Sequence, residues 1–189
     1  MARNTLSRAM NDVGLAAWFG GTLANTVALN QAGHEAGHAK NTADVINAGW
    51  DRWTPLNAAA IGVHLAGSTG LLIGNMPRMR AQRGVATMAA TKTSLMMAAL
   101  GATAYSRMLG KKVSKIDDVP VDSAADPESS TSPDIAKAQR QLSMLQWAVP
   151  ALTGAMLVVD AFAGEQQRAS EVRRGFMERL GEKASTLRR

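Results

Sequence analysis

The sequence predicts an all-α fold, an integral membrane bundle of four transmembrane helices with both ends on the cytoplasmic side. Three observations predict it. Four blocks are nearly free of charge and long enough to cross a hydrocarbon core, charge crowds between them, and alternate connecting segments carry an excess of basic residues.

The first block, Val13 to Gly33, holds 21 residues without Asp, Glu, Lys, Arg or His. At 1.5 Å per helical residue it reaches about 30 Å, the thickness of the apolar core of a bilayer. It exceeds the apolar stretch of a signal peptide and is expected to be retained. The second block, Thr54 to Pro77, has His64 as its one titratable group and is preceded by Trp50, Asp51, Arg52 and Trp53. Two tryptophans beside a charge pair are expected to form an interfacial belt, and Pro55 suits the first turn of a helix, where its missing N–H costs nothing. The third block, Gly84 to Ser106, is broken only by Lys92. The fourth, Gln141 to Gly164, contains Trp147, Asp160 and Pro150, the last expected to kink its helix. The expected spans are thus about 13–33, 54–76, 84–106 and 142–163.

Between the third and fourth blocks the run Asp117 to Asp134 is acidic and rich in serine and proline, and it is expected to be a disordered external loop. After 1–164, the four-helix transmembrane domain, comes a basic cytoplasmic tail, 165–189. There Val172, Phe176 and Leu180 recur at four-residue spacing among arginines, as in an amphipathic helix lying on an anionic leaflet. Orientation follows from the basic residues. Twelve belong to the N-terminus, the second connection and the tail, against eight in the other connections, and Arg78, Arg80 and Arg83 form a short acid-free cluster. The excess sets both termini inside.

A chain of 189 residues has room for one domain, and the absence of cysteine excludes disulfides and cysteine-ligated metals. A net charge of +6 would suit nucleic acid, but its segregation into connections assigns it to membrane topology, so no nucleic-acid partner is expected. The mean hydropathy of −0.09 averages over that segregation. A soluble bundle of alanine-rich helices would show a charged face every third or fourth residue, which the first two blocks lack.

Charge inside a bilayer is expensive, so the intramembrane polar groups Asn25, His64, Lys92 and Asp160 are the candidate functional residues. Lys92 lies nine residues after Arg83 and Asp160 five before Glu165, which places both at similar depth. A Lys92–Asp160 pair would offset the desolvation of each charge and fix the third helix against the fourth. Asn25 and His64 are expected to hydrogen-bond between helices. Haem ligation would need a second axial ligand at matching depth, which is missing. Ala66, Gly70 and Gly74, extended by Gly62, form a small-residue ridge that lets helices approach closely.

His34-Glu35-Ala36-Gly37-His38 matches the H-E-x-x-H pattern in which two histidines one helical turn apart bind zinc and the glutamate activates water. The string resembles that of membrane-bound ATP-dependent zinc proteases over those five residues, without a phosphate loop to accompany it. Gly33 and Gly37 weaken the helix such a site needs, and the polar run Lys40 to Asp44 follows where a membrane protease would continue its span.

The stretches Gly49 to Leu65, Ala99 to Lys112 and Ala138 to Gly154 resemble a family of uncharacterised four-span integral membrane proteins of actinobacteria with no established activity. The resemblance implies topology and a plasma-membrane location, multi-pass. Three functional readings follow. The first is an accessory or scaffolding component of a membrane or envelope complex, with the lipid bilayer and other membrane proteins as partners and no cofactor. The second is a zinc metallohydrolase using His34, Glu35 and His38. The third is a quinone-linked or transport-associated bundle using His64, Lys92 and Asp160.

Overall fold

The computed structural model describes residues 4–35, 39–81, 83–114 and 132–165, and among them the secondary structure is helical throughout. Helix α1 spans Thr5–Ala24 and passes through one π-helical turn, Asn25–Leu29, into the short α2, Asn30–His34. Helix α3 spans Ala39–Ala81, α4 Arg83–Ser114 and α5 Pro133–Glu165. Local chemistry sets two of these starts. The Asn4 carbonyl accepts the Arg8 N–H at 3.0 Å to open α1. At α5 the Ser132 carbonyl accepts from Ile135 and Ala136, while Pro133 occupies the first turn, where no N–H is needed.

Every helix outruns the charge-poor block that predicted it. Arg, Lys and Gln are good helix formers, so a block without charge marks the apolar stretch of a helix and leaves its ends undefined. Two expectations are corrected as a result. Pro55 sits in the interior of α3, which already includes the polar run Lys40 to Asp44, and Pro133 and Asp134 begin α5 instead of ending a loop. Helix α5 also continues through Pro150 without interruption. The rest of the acidic loop and the tail beyond Glu165 lie outside the described residues.

Pairwise contacts make neighbouring helices antiparallel. Gly21 of α1 meets Trp53 of α3 while Gly74 of α3 meets Asn4. Asn11 of α1 and Thr26 of the π-helical turn reach Asp160 and Gln146 of α5, and Tyr105 and Lys92 of α4 reach Gln141 and Asp160. One end of the bundle thus collects the start of α1 and the finish of α5, with the α3–α4 connection; the start of α3 and of α5 lie at the other.

Helices α1 and α3 pack almost backbone to backbone. A Cβ on Gly14 would fall 2.6 Å from the Ala60 carbonyl, and one on Gly67 would fall 2.6 Å from that of Ser7. Gly70 and Gly74 continue this contact along α3. The ridge is therefore Gly67, Gly70 and Gly74, at the spacing of three and four that one helix face requires. Gly62 and Ala66 are exposed, because a strict four-residue repeat drifts off the face of a 3.6-residue helix.

Pro150 lacks the N–H that would donate to the Gln146 carbonyl one turn earlier. Thr26, in the π-helical turn, donates its hydroxyl to that carbonyl at 3.0 Å and so joins α1 to α5. Asn30 adds a bond from Nδ2 to Gln146 Oε1 at 2.9 Å and accepts from Trp50 Nε1 at 3.2 Å. Trp50 and Trp53 are both half-buried; Trp53 lies over Gly21, where there is no side chain to exclude it.

The apolar core is small: Leu15, Trp18, Ala99, Val149 and Met156, with Ile61, Met96 and Leu152 packed around it. Helices α3 and α5 each contain a stretch long and apolar enough to cross a membrane, within residues 44–80 and 133–164.

Candidate functional site

The charged centre is built where α1, α3, α4 and α5 converge, one turn outside the apolar core. Lys92 of α4 lies 2.7 Å from Oδ1 and 2.9 Å from Oδ2 of Asp160 on α5, so the contact expected between them is made. Both side chains are 17% exposed. The third partner of the ammonium is Asn11 Oδ1 on α1, at 2.6 Å.

Asn11, 1% exposed, organises the cluster. Its Nδ2 donates to Asp160 Oδ2 at 2.9 Å and to Asp12 Oδ1 at 2.8 Å, while its Oδ1 accepts from Lys92 and, at 2.7 Å, from the Ser68 hydroxyl of α3. An amide donates and accepts at once from a single planar head. Its backbone carbonyl also accepts from His64 Nδ1 at 2.9 Å. A carbonyl cannot donate, so Nδ1 carries a proton. Nε2 faces the Ser68 hydroxyl at 3.3 Å, and the imidazole, wholly buried, tilts against Trp18 with ring centres 6.4 Å apart.

The expected role of His64 as a link between helices is thus realised through a backbone carbonyl. Asn25 stands 14 residues from Asn11, about 20 Å along the helix. It does not join the cluster, and its buried Nδ2 has no protein partner, contrary to the expectation that it would find one. Asn11 and Ser68 were not singled out from the sequence. Asn11 sits just outside the first charge-free block, and Ser68 is an ordinary residue until its spacing is noticed, one turn beyond His64.

Chemically, the centre is closed on itself. Three acceptor contacts surround the Lys92 ammonium, and both Asp160 oxygens are engaged. Its residues Asn11, Lys92 and Asp160 also line a cavity of about 530 Å³, with Arg8, Asp12 and Arg78 among the other walls.

The zinc motif is positioned differently. Helix α2 ends at His34, and Glu35, exposed, stands in a turn with φ −70° and ψ −10°. Residues 36–38, His38 among them, lie outside the described residues, as does the His34 side chain. Among the described residues no three His, Asp or Glu side chains gather as a metal site. Comparison with protein families, with curated proteins and with solved structures finds no match.

Proposed function

We propose that this protein is a four-span integral protein of the plasma membrane, both termini cytoplasmic, that serves as an accessory or scaffolding component of a membrane complex. One observation carries the reading: large apolar side chains face outward while polar side chains are sealed inside, beside a small apolar core. Asn11, His64 and Thr153 are buried with at most 1% exposure, while Ile73, Met97, Met144, Trp147 and Phe162 are each at least 59% exposed. In water such a distribution is unfavourable twice over, since apolar surface stays wet and polar groups lose their solvent. In lipid both terms change sign: outward apolar side chains meet acyl chains, and polar groups must turn inward to find partners.

The scaffolding role is supported by the closure of the charged centre. Its groups bind one another and hold four helices in register, leaving the outward apolar faces as the surface available to lipid or to helices of other proteins. The test is fractionation of native membranes followed by mild extraction and copurification. The protein is expected in the pellet after a carbonate wash, and a reproducible membrane partner is expected to come with it; recovery in the supernatant ends the bilayer reading, and recovery always alone ends the scaffolding one.

A second reading, a transport-associated bundle, draws on the 530 Å³ cavity beside Lys92 and Asp160. It requires ion or proton flux in proteoliposomes that Asp160→Asn abolishes. The zinc hydrolase alternative rests on the His34 to His38 string, and one equivalent of zinc in untagged protein, lost in His34→Ala, is its requirement.

A further inference from the structure

At the opposite end of the bundle from Lys92, a second cavity of about 320 Å³ lies between α3 and α4, floored by α5. Its polar lining is unlike that of the charged centre. Trp53, Asn57, Thr103, Ser106 and Arg107 all line it, and on each of them one polar atom, Trp53 Nε1, Asn57 Oδ1, Thr103 Oγ1, Ser106 Oγ or Arg107 Nε, is buried without a protein partner. Asn57 is 8% exposed, so its oxygen is withdrawn from solvent with nothing to accept from. A buried polar atom left unpaired costs about 1–3 kcal/mol, and five of them around one space make that space a place for something that supplies partners. Ile61, Leu100, Leu145 and Val149 give it an apolar side that leads toward the core.

We propose that this cavity is a binding site for an uncharged amphipathic molecule whose head carries carbonyl or hydroxyl oxygens and whose tail is hydrocarbon. The indole N–H and guanidinium Nε–H can only donate, so the head must present acceptor oxygens. The Thr103 and Ser106 hydroxyls act either way, and Asn57 Oδ1 receives from a hydroxyl. Neutrality follows from the ion pair at the rim. Arg107 Nη2 donates to Asp51 Oδ1 at 2.5 Å, and the carboxylate offsets the guanidinium charge that would otherwise favour a phosphate or carboxylate head. A prenylated quinone and a diacylglycerol share this chemistry. The site goes beyond the bilayer reading, since the cavity and its atoms are the same whatever surrounds the bundle.

The experiment uses the full chain in phosphatidylcholine nanodiscs, titrated with a radiolabelled 1,4-naphthoquinone bearing a decyl tail and, separately, with labelled 1,2-dioctanoylglycerol. Saturable binding of either at one molecule per chain is expected, and the one that binds identifies the source. Asn57→Leu, and independently Thr103→Val with Ser106→Ala, should each weaken it at least tenfold while the unliganded melting temperature confirms folding. The proposal fails if neither probe saturates, if both folded variants bind as the parent does, or if dioctanoyl phosphatidylglycerol displaces the probe better than its neutral counterpart. The carbonate wash is read separately, so failure here and failure of the bilayer reading are told apart.

Discussion

Asn11 uses both ends of its amide, and that double use is the property a substitution exposes. In Asn11→Asp the shape is kept, but Nδ2 becomes a carboxylate oxygen facing the carboxylates of Asp12 and Asp160, to which it formerly donated. The isosteric change is expected to lower the melting temperature at least as much as Asn11→Leu does; a neutral Asn11→Asp would refute the assigned donor pattern. For the ion pair, Lys92→Met or Asp160→Leu alone leaves one mostly buried charge uncompensated, at about 3–5 kcal/mol. The double variant removes both charges and should lose less than the sum by about 2 kcal/mol or more, whereas additive losses in a thermal or denaturant titration would show that the two do not couple. The pair was legible in the sequence because two isolated charges expected in the same half of the bilayer have few alternatives to meeting. Asn11 was not, because an asparagine next to Asp12 at the edge of a polar terminus reads as surface.

Helices α1 and α3 touch through glycine, and which glycines matter is decided by the face they share. Gly67→Ala forces a methyl onto the α1 backbone near the Ser7 carbonyl and should destabilise by about 1–3 kcal/mol. Gly62→Ala meets open space and should stabilise by up to about 1 kcal/mol through helix propensity. Equal effects of the two in a melting experiment would overturn the packing face. A second element-scale device is the carbonyl that Pro150 releases at Gln146. Thr26→Val is expected to cost about 1 kcal/mol in the parent chain and clearly less in a Pro150→Ala background, where an N–H again satisfies that carbonyl. A double-mutant cycle with no coupling would show that Thr26 and Pro150 act independently. Small-residue spacing announced a close helix contact from sequence alone, but its register needed the partner helix.

Across the whole molecule, the proposed topology is a statement about two ends. The α3–α4 connection, flanked by Arg80 of α3 and Arg83 of α4, belongs in this reading to the cytoplasmic end; Ser114, where α4 finishes, belongs to the other. The chain has no cysteine, so single cysteines report without background. Ser114→Cys should react with a membrane-impermeant maleimide in intact cells, and Arg83→Cys only after lysis. The reverse pattern would invert the orientation, and labelling of both in intact cells would end the four-span arrangement.

The sequence by itself determined that the chain is helical, where its apolar stretches run, and that Lys92 and Asp160 need each other, because charge segregation and the cost of an isolated buried charge act at the level of residue order. Only the tertiary structure decided the rest. It set Trp53 over Gly21, brought Asn11 and Ser68 to the ion pair, and left five unpaired polar atoms on residues that line one cavity. Those outcomes depend on which faces of separate helices meet, and a face is a property of two helices together that no single stretch of sequence contains.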